Sequence, residues 1–545
     1  MLIKILLTVI FFGIMVGVGI YSRKTARSVD GFVLGGRAVG GWLTAFAYGT
    51  SYFSAVVFVG YAGQFGWKYG LASTWIGVGN AVVGSLLAWL ILAKRTRLMT
   101  QHIQSRTMPD FFGSRFESQG LRVTASVIAF VFLIPYTAGV YVGISKLFEM
   151  GFGIPYEYCA MSMALLTAVY VILGGYKATA INDFIQGIIM LFGIVTVIAV
   201  VLNGQGGLHE AIKSMKLATP TDFDYLSDKA GLYANYQLGD FASVWGPNAL
   251  SLIGVIVLTS LGTWGLPQMV GKFYSISDEG AIRRGTVIST IFALIVAGGC
   301  YFLGGFGRLF PEPAIIDGKK YAYDSIVPSM LETLPDALIA LVVLLVLSAS
   351  MSTLASLVLT SSSTMTLDLI YRDKRASADE APEGTIDDTV AERKERRKVI
   401  IMRVLIVFFI VLSLMIALTP PQFIAQLMGI SWGALAGAFL APFLLGLYWK
   451  GVTTASVWAC FAWGVGLTVV NMMMGNALLN PIDCGAVAMV GGFMVVPLVS
   501  LCTYKLEVKK GIIDVEKTNK MFTCFEGRVT VSRRESLGGD EVVEK

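Results

Sequence analysis

Apolar stretches of about twenty residues follow one another along most of this chain, with short polar breaks between them. No other feature restricts the fold so strongly, because this is the length of helix that crosses the hydrocarbon core of a bilayer. Inside that core the backbone finds no water. Each span must satisfy its own amides and carbonyls, and a run of this length does so as a helix. Spans are predicted at 4–22, 40–64, 70–93, 122–146, 156–174, 180–202, 243–270, 284–306, 334–368, 399–418, 423–448, 452–475 and 480–502. The seventh and ninth runs are long enough for a tilt, an interruption or a short extra helix. Composition agrees: 55 % of the 545 residues are hydrophobic and 14 % are charged, with a mean hydropathy of +0.70. A water-facing surface of this size needs more charge. The expectation is an all-α integral membrane protein of about thirteen transmembrane helices, with the membrane domain over 1–505.

The net charge of +6 does not point to nucleic acid, because the basic residues sit in short loops. Arg23, Lys24 and Arg27 form one group, and Lys94, Arg95, Arg97, Arg106 and Arg115 another. Lys177, then Lys272, Arg283 and Arg284, the charged stretch 372–398, Lys450 and the tail continue the series. Thirteen crossings put all of these on one side, and lysine and arginine favour the cytoplasm. The N-terminus is therefore expected outside a cell (plasma) membrane and the C-terminus inside. On this reading 204–242 is an extracellular loop, 372–398 a cytoplasmic charged loop and 506–545 a cytoplasmic tail. Lys213, Lys216 and Lys229 in 204–242 are a mild exception. The first run follows Lys4 but precedes no small-residue cleavage site, so it is expected to stay as a helix. The six cysteines lack metal-ligand spacing, and His102 and His209 alone exclude a histidine-rich metal site.

Three spans carry residues that lipid does not reward. The second runs from Gly40-Gly41 through Gly49-Thr50-Ser51-Tyr52-Phe53-Ser54. Glycine weakens helical continuity there, and an unwound turn would free carbonyls that must face protein, water or an ion. A close-packed Gly/Ser helix contact is the bland alternative. In the ninth span, helical spacing places Ala349, Ser352, Thr353 and Ser356 on one face. Carbonyls from the second span and hydroxyls from the ninth together would make a shell of hard, neutral oxygens. With no carboxylate cluster beside them, such a shell suits sodium better than magnesium. The seventh span contains Gly262-Thr263-Trp264-Gly265-Leu266-Pro267, and Pro267 disfavours a regular helix through that point. Asp183, near the cytoplasmic start of the sixth span, is an expensive charge unless it is paired. It is read either as a cap or contact to Lys177, or as part of a sodium or gating path.

Several blocks in order resemble the sodium:solute symporter family, particularly its sodium/proline, pantothenate and monocarboxylate branches. They are Leu34-Gly35-Gly36-Arg37, the Thr44 to Ser54 segment, Pro109-Asp110-Phe111-Phe112 with Arg115-Phe116-Glu117, Gly174-Gly175-Tyr176-Lys177, Pro267 with Gly271-Lys272-Phe273, and Met351-Ser352-Thr353. The resemblance implies a five-plus-five inverted-repeat fold over about 40–202 and 243–448, with one helix before and two after. It also implies alternating access and sodium-coupled uptake. The main Na⁺ site it implies uses the carbonyls of Thr50, Phe53 and Ala349 with the hydroxyls of Ser352 and Thr353. A second site in some members falls here on Asp183, Ser352 and Ser356, but Ala355 stands where those members place a serine, so one Na⁺ per solute is favoured. Tyr136 matches a tyrosine near the substrate of the sodium/proline branch, whereas Tyr52, Thr259 and Thr263 replace an acid and two rings there. Simple transfer of proline specificity is therefore disfavoured. The expected solute pocket is Tyr52, Ser54, Tyr136, Thr259 and Thr263, suited to a small polar solute such as a carboxylate or amino acid.

The coupling ion expected is Na⁺, and the expected partners are a small-molecule solute and membrane lipid, with no nucleic acid and no obligate protein partner. An enzyme would need facing acid, base, nucleophile or metal groups, which the spans do not offer. A channel would need a ring-forming filter repeat, and a transporter-like sensor a long C-terminal module. Proton coupling on the same fold is the alternative within the class.

Overall fold

The computed structural model describes residues 2–227, 231–316, 320–332, 334–371, 388–419 and 424–525. The apolar runs form α1 (Leu2–Ser22), α2 (Gly41–Tyr52), α3 (Gln119–Phe152), α4 (Tyr156–Gly204), α5 (Ala249–Gly265), α6 (Pro267–Tyr274), α7 (Glu279–Gly304), α8 (Asp336–Thr364), α9 (Asp388–Leu418), α10 (Ile424–Tyr448), α11 (Thr454–Met473) and α12 (Pro481–Lys509). Between α2 and α3 a mixed α- and π-helical segment covers Val56–His102. The only strands among the described residues are the short antiparallel pair β1 (Ile315–Ile316) and β2 (Lys320–Tyr321).

Polar residues at the ends of the apolar runs supply the caps. Ser118 accepts from the Leu121 amide, Asn248 from Ser251, Asp278 from Ala281, and Asn480 from Ile482 and Asp483. Each satisfies an amide that the helix itself leaves open. Leu90, Leu165, Phe192, Val404 and Leu498 stay exposed on the outer faces, where lipid replaces water as the solvent. The interior is a continuous apolar core in which α8 packs on α3 and α4, α10 on α5 and α12, and α2 on α7.

Among the described residues, ten helices are long and apolar enough to cross a membrane, or eleven with the bent pair α5 and α6 counted as one. Two of the ten are far longer than one crossing. The 49 residues of α4 would reach roughly 70 Å at the helical rise, against a core of about 30 Å. The chain turns inside α4 at Gly175 (φ 54°, ψ −154°). A Cβ at Gly175 would meet Phe32 at 2.9 Å. Val56–His102 turns in the same way at Gly70 (φ 60°, ψ −140°), where a Cβ would lie 2.1 Å from the Phe241 carbonyl.

The 204–242 segment holds two short helices, Leu208–Leu217 and Asp222–Ser227. Arg308 ties it to the bundle by donating to the Asp224 carboxylate (2.9 Å) and the Trp67 carbonyl (2.7 Å) while lying 3.9 Å from the Phe241 ring centre. Of the charged stretch 372–398, residues 372–387 lie outside the described residues, and the remainder begins α9. The predicted tail starts with the end of α12 and a short helix, Val515–Phe522, and its residues from 526 onward also lie outside the described part. One expectation fails here. Lys272, grouped from sequence with the loop lysines, is only 2 % exposed and sits on α6 inside the bundle, where an acid and a hydroxyl satisfy its ammonium.

Candidate functional site

Two helices are broken inside the bundle. At the end of α2, Phe53 leaves the helix in extended backbone (φ −105°, ψ 114°). The amides that would continue the ladder go elsewhere: Ala55 donates to the Ser350 hydroxyl (3.3 Å), Val56 to the Ser54 hydroxyl (3.2 Å) and Val57 to the Ser54 carbonyl (3.0 Å). The carbonyls of Ser51, Tyr52 and Phe53 are thereby released from helical bonding, and that of Thr50, whose helical partner would be Ser54 beyond the end of α2, accepts from α8 instead. The second break lies at Leu266 (φ −86°, ψ 121°), where α5 and α6 meet at 47°. Pro267 accounts for it, since it has no amide hydrogen to donate back.

The hydroxyl face of α8 lies against the first break. The Ser352 hydroxyl donates to the Thr50 carbonyl (2.8 Å) and lies 3.2 Å from the Ala349 carbonyl. The Thr353 hydroxyl is 3.3 Å from the Ser51 carbonyl and 3.1 Å from that of Ala349. These side chains are fully buried. The Tyr170 hydroxyl bonds the Met351 carbonyl at 2.5 Å and so fixes α8 on α4. The face thus gathers neutral, hard oxygens from two chain segments about three hundred residues apart. Such a set can hold a monovalent cation that must later leave. Among the described residues no group of His, Cys, Asp and Glu is arranged to hold a metal ion. Thr50, Ala349, Ser352 and Thr353, four of the five main-site residues read from sequence, meet here, and Phe53 marks the break. The Ser51 carbonyl joins them, and the order of residues alone gave no reason to choose it over its neighbours.

Below this cluster Ser51 and Ser356 share a hydrogen bond (2.8 Å). The Lys272 ammonium donates to the Ser356 hydroxyl (2.9 Å) and pairs with Asp183 at 3.5 Å. Lys272, not Lys177, is therefore the cation beside Asp183. A lysine two residues past the end of a predicted span, five residues after a proline, was the available signal. A cleft beside the pair is lined by this ammonium together with Arg106, Thr107, Gln268, Thr360 and Thr364.

The expected solute residues lie around the breaks. The Tyr52 hydroxyl donates to the Thr259 carbonyl (2.5 Å), bridging α2 to α5. Thr263 donates to the carbonyls of Ser260 (3.0 Å) and Gly84 (3.3 Å), and the Thr259 hydroxyl bonds back to Val255 (2.9 Å). Tyr52 and Tyr136 both contact the Trp432 ring, with centroids 6.4 and 5.7 Å away. Trp432, on α10, is a shared neighbour of both that the sequence reading missed, because tryptophans in membrane helices are common packing residues. Ser54 stands apart from this group, its hydroxyl accepting from Val56 as a local cap.

Helices broken within an apolar bundle, with backbone carbonyls facing hydroxyls at the break, define a secondary transporter. The sodium:solute symporter family matches residues 32–461, and the chain belongs to it. A sodium/proline symporter of Staphylococcus aureus is 28 % identical over 533 residues, with 94 % of each chain covered. The fold is similar to that of a Na⁺-coupled sialic acid symporter solved in a substrate-bound, outward-open state. That match has a TM-score of 0.71 at 16 % identity and covers 92 % of this chain and 97 % of the other. It is also similar to a nucleobase-cation-symport-1 family transporter in a closed conformation, with a TM-score of 0.51 at 13 % identity and coverage of 90 % and 98 %. The protein is thus an all-α, multi-pass membrane protein with inverted-repeat-like packing. It is a sodium-coupled secondary transporter for a small solute and not an enzyme.

Proposed function

We propose that this chain imports a small polar solute, a carboxylate or an amino acid, together with Na⁺ held at the break after α2. The observation that carries the reading is the pair of α8 hydroxyls, Ser352 and Thr353, seated on the released carbonyls of Thr50 and Ser51. Na⁺ inserted among Thr50, Phe53, Ala349, Ser352 and Thr353 takes over the role those hydrogen bonds play. It ties the broken helix to α8 in the outward-facing state, to which the solute binds. Tyr52, Tyr136, Thr259, Thr263 and Trp432 cover the solute, and Ser54 shapes the restart of the helix beneath it. Each ligand favours the same conformation, and that differential affinity is the coupling. Membrane potential adds about 2.3 kcal/mol per charge for each 100 mV, which favours inward sodium movement.

The two interior turns support the thirteen-span topology read from the sequence. Dividing Val56–His102 at Gly70 and α4 at Gly175 raises the eleven spans to thirteen, with repeats over about 40–202 and 243–448. The basic loops then face the cytoplasm of a cell membrane, with the N-terminus outside and the C-terminus within, and 204–242 becomes an outer loop.

Purified protein in lipid vesicles with an imposed sodium gradient tests the reading against a panel of carboxylates, amino acids and pantothenate-like acids. At least one is expected to accumulate, with accumulation lost when choline replaces sodium at constant pH. Ser352→Ala combined with Thr353→Ala is expected to abolish it. Accumulation indifferent to sodium, or unchanged in the double variant, would sink the proposal.

A further inference from the structure

The second cluster beside the break contains a cation of its own. Asp183 is wholly buried and Lys272 is 2 % exposed. The Lys272 ammonium lies 2.9 Å from the Ser356 hydroxyl and 3.5 Å from the Asp183 carboxylate, and 5.2 Å from the centre of the Tyr176 ring. Ser356 in turn is 2.8 Å from the Ser51 hydroxyl. A carboxylate and serine hydroxyls are also the groups a second sodium ion would use, and here they surround an ammonium.

We infer that Lys272 is a fixed substitute for a second sodium ion, so that this transporter binds a single Na⁺. The inference rests on the main-site reading above and deepens it by setting the ion count. A lysine ammonium is a compact point charge with three donors. It donates to a hydroxyl, pairs with a carboxylate and faces an aromatic ring here, so its charge is spent on this cluster. Asp183 carries one negative charge and has one positive partner. A sodium ion sharing Ser356 would lie within ion-pair reach of Lys272, adding like-charge repulsion and an unbalanced buried positive charge. Ala355, on the same helix as Ser352 and Ser356, offers no side-chain oxygen to offset this. The residues therefore do not fit a second sodium while Lys272 is present.

The neighbouring cleft makes the inference testable by gain of a site. Its lining includes Lys272 and Ser356 beside Arg106, Thr107 and Gln268, so Lys272 borders open space rather than close-packed side chains on that side. The full chain, purified in detergent, is dialysed to equilibrium against radioactive sodium, and bound ions are counted per chain. The wild type is expected to bind one. Lys272→Met, which keeps the apolar stem and removes the charge, is expected to bind two, as is Lys272→Gln. Adding Asp183→Asn to Lys272→Met is expected to return the count to one, and Ser352→Ala with Thr353→Ala removes the ion of the main site. A wild type that binds two ions overturns the inference while leaving the main site standing. A wild type that binds none overturns the main-site reading and the inference with it. Folded Lys272 variants that still bind one ion also overturn the inference. The wild-type count needs no variant to fold.

Discussion

Ser352 and Thr353 each hold a carbonyl that the broken helix has released, and each is a ligand in the proposed ion shell. Replacing either by alanine takes away one ion–dipole contact to sodium, which is comparable to a hydrogen bond made to a charged group, about 1.5–3 kcal/mol. At roughly 1.4 kcal/mol per decade this is a tenfold or larger weakening of apparent sodium affinity for each single variant. A sodium titration of thermal stability reads the change, and Thr353→Ser, which keeps the oxygen, is expected to stay near the wild type. Asp324, outside the spans, makes a different kind of prediction. It is buried, 3.4 Å from the Lys146 ammonium and 3.4 Å from the Ile424 amide. Burial pushes its carboxyl above the usual carboxylate range, and Lys146 and the amide pull it only part of the way back. The folded protein therefore holds this proton more firmly than the unfolded chain does. The resulting stability is fully present below the unfolded carboxyl value and is lost as pH rises through the folded one. Asp324→Asn is expected to flatten that part of the melting curve against pH, from about pH 4 upward. An unchanged slope would count against the assignment.

At the level of elements, the proposed thirteen crossings depend on two backbone turns. Gly175 lies at positive φ with Phe32 against it. Gly175→Ala should cost about 1–3 kcal/mol from backbone strain alone, more once Phe32 is displaced, and is expected to lower the melting temperature and the yield of folded protein. Unaltered stability would mean that the turn is not needed. Much at this scale was legible in the sequence. The apolar runs, the break at Pro267, the glycine and hydroxyl content of the second span and the shared face of Ala349, Ser352, Thr353 and Ser356 all follow from local chemistry and helical spacing. The π-helical stretches Val56–Tyr61 and Asn80–Leu87 were not legible, because nothing local in the sequence separates them from ordinary helix. They matter at the site, since the Gly84 carbonyl accepts from both Tyr48 (2.7 Å) and Thr263 (3.3 Å). The role of Lys272 was also hidden, because a single basic residue near a span end reads as a loop anchor until its partners are known.

For the whole molecule, the proposed ion between α2 and α8 would join two parts of the bundle that meet through direct packing and a few hydrogen bonds. Sodium at about one hundred times its dissociation constant should therefore stabilise the protein by about 2.7 kcal/mol, with potassium at the same ionic strength giving no comparable gain. A melting series in the two salts checks this, and equal effects would mean that the oxygens do not select sodium. The sequence by itself determined a membrane-spanning helical bundle, the break at Pro267 and the neutral character of the α8 face, since each depends on a short stretch of chain and its solvent, and it left the second span open between a break and a close-packed Gly/Ser contact. Only the tertiary structure decided which groups meet: Ser352 with the carbonyl of Thr50, Tyr52 with Trp432, and Lys272 with Asp183 and Ser356. Those pairings join residues far apart in the chain, and they depend on the rotation and depth at which whole helices pack, which no local pattern records.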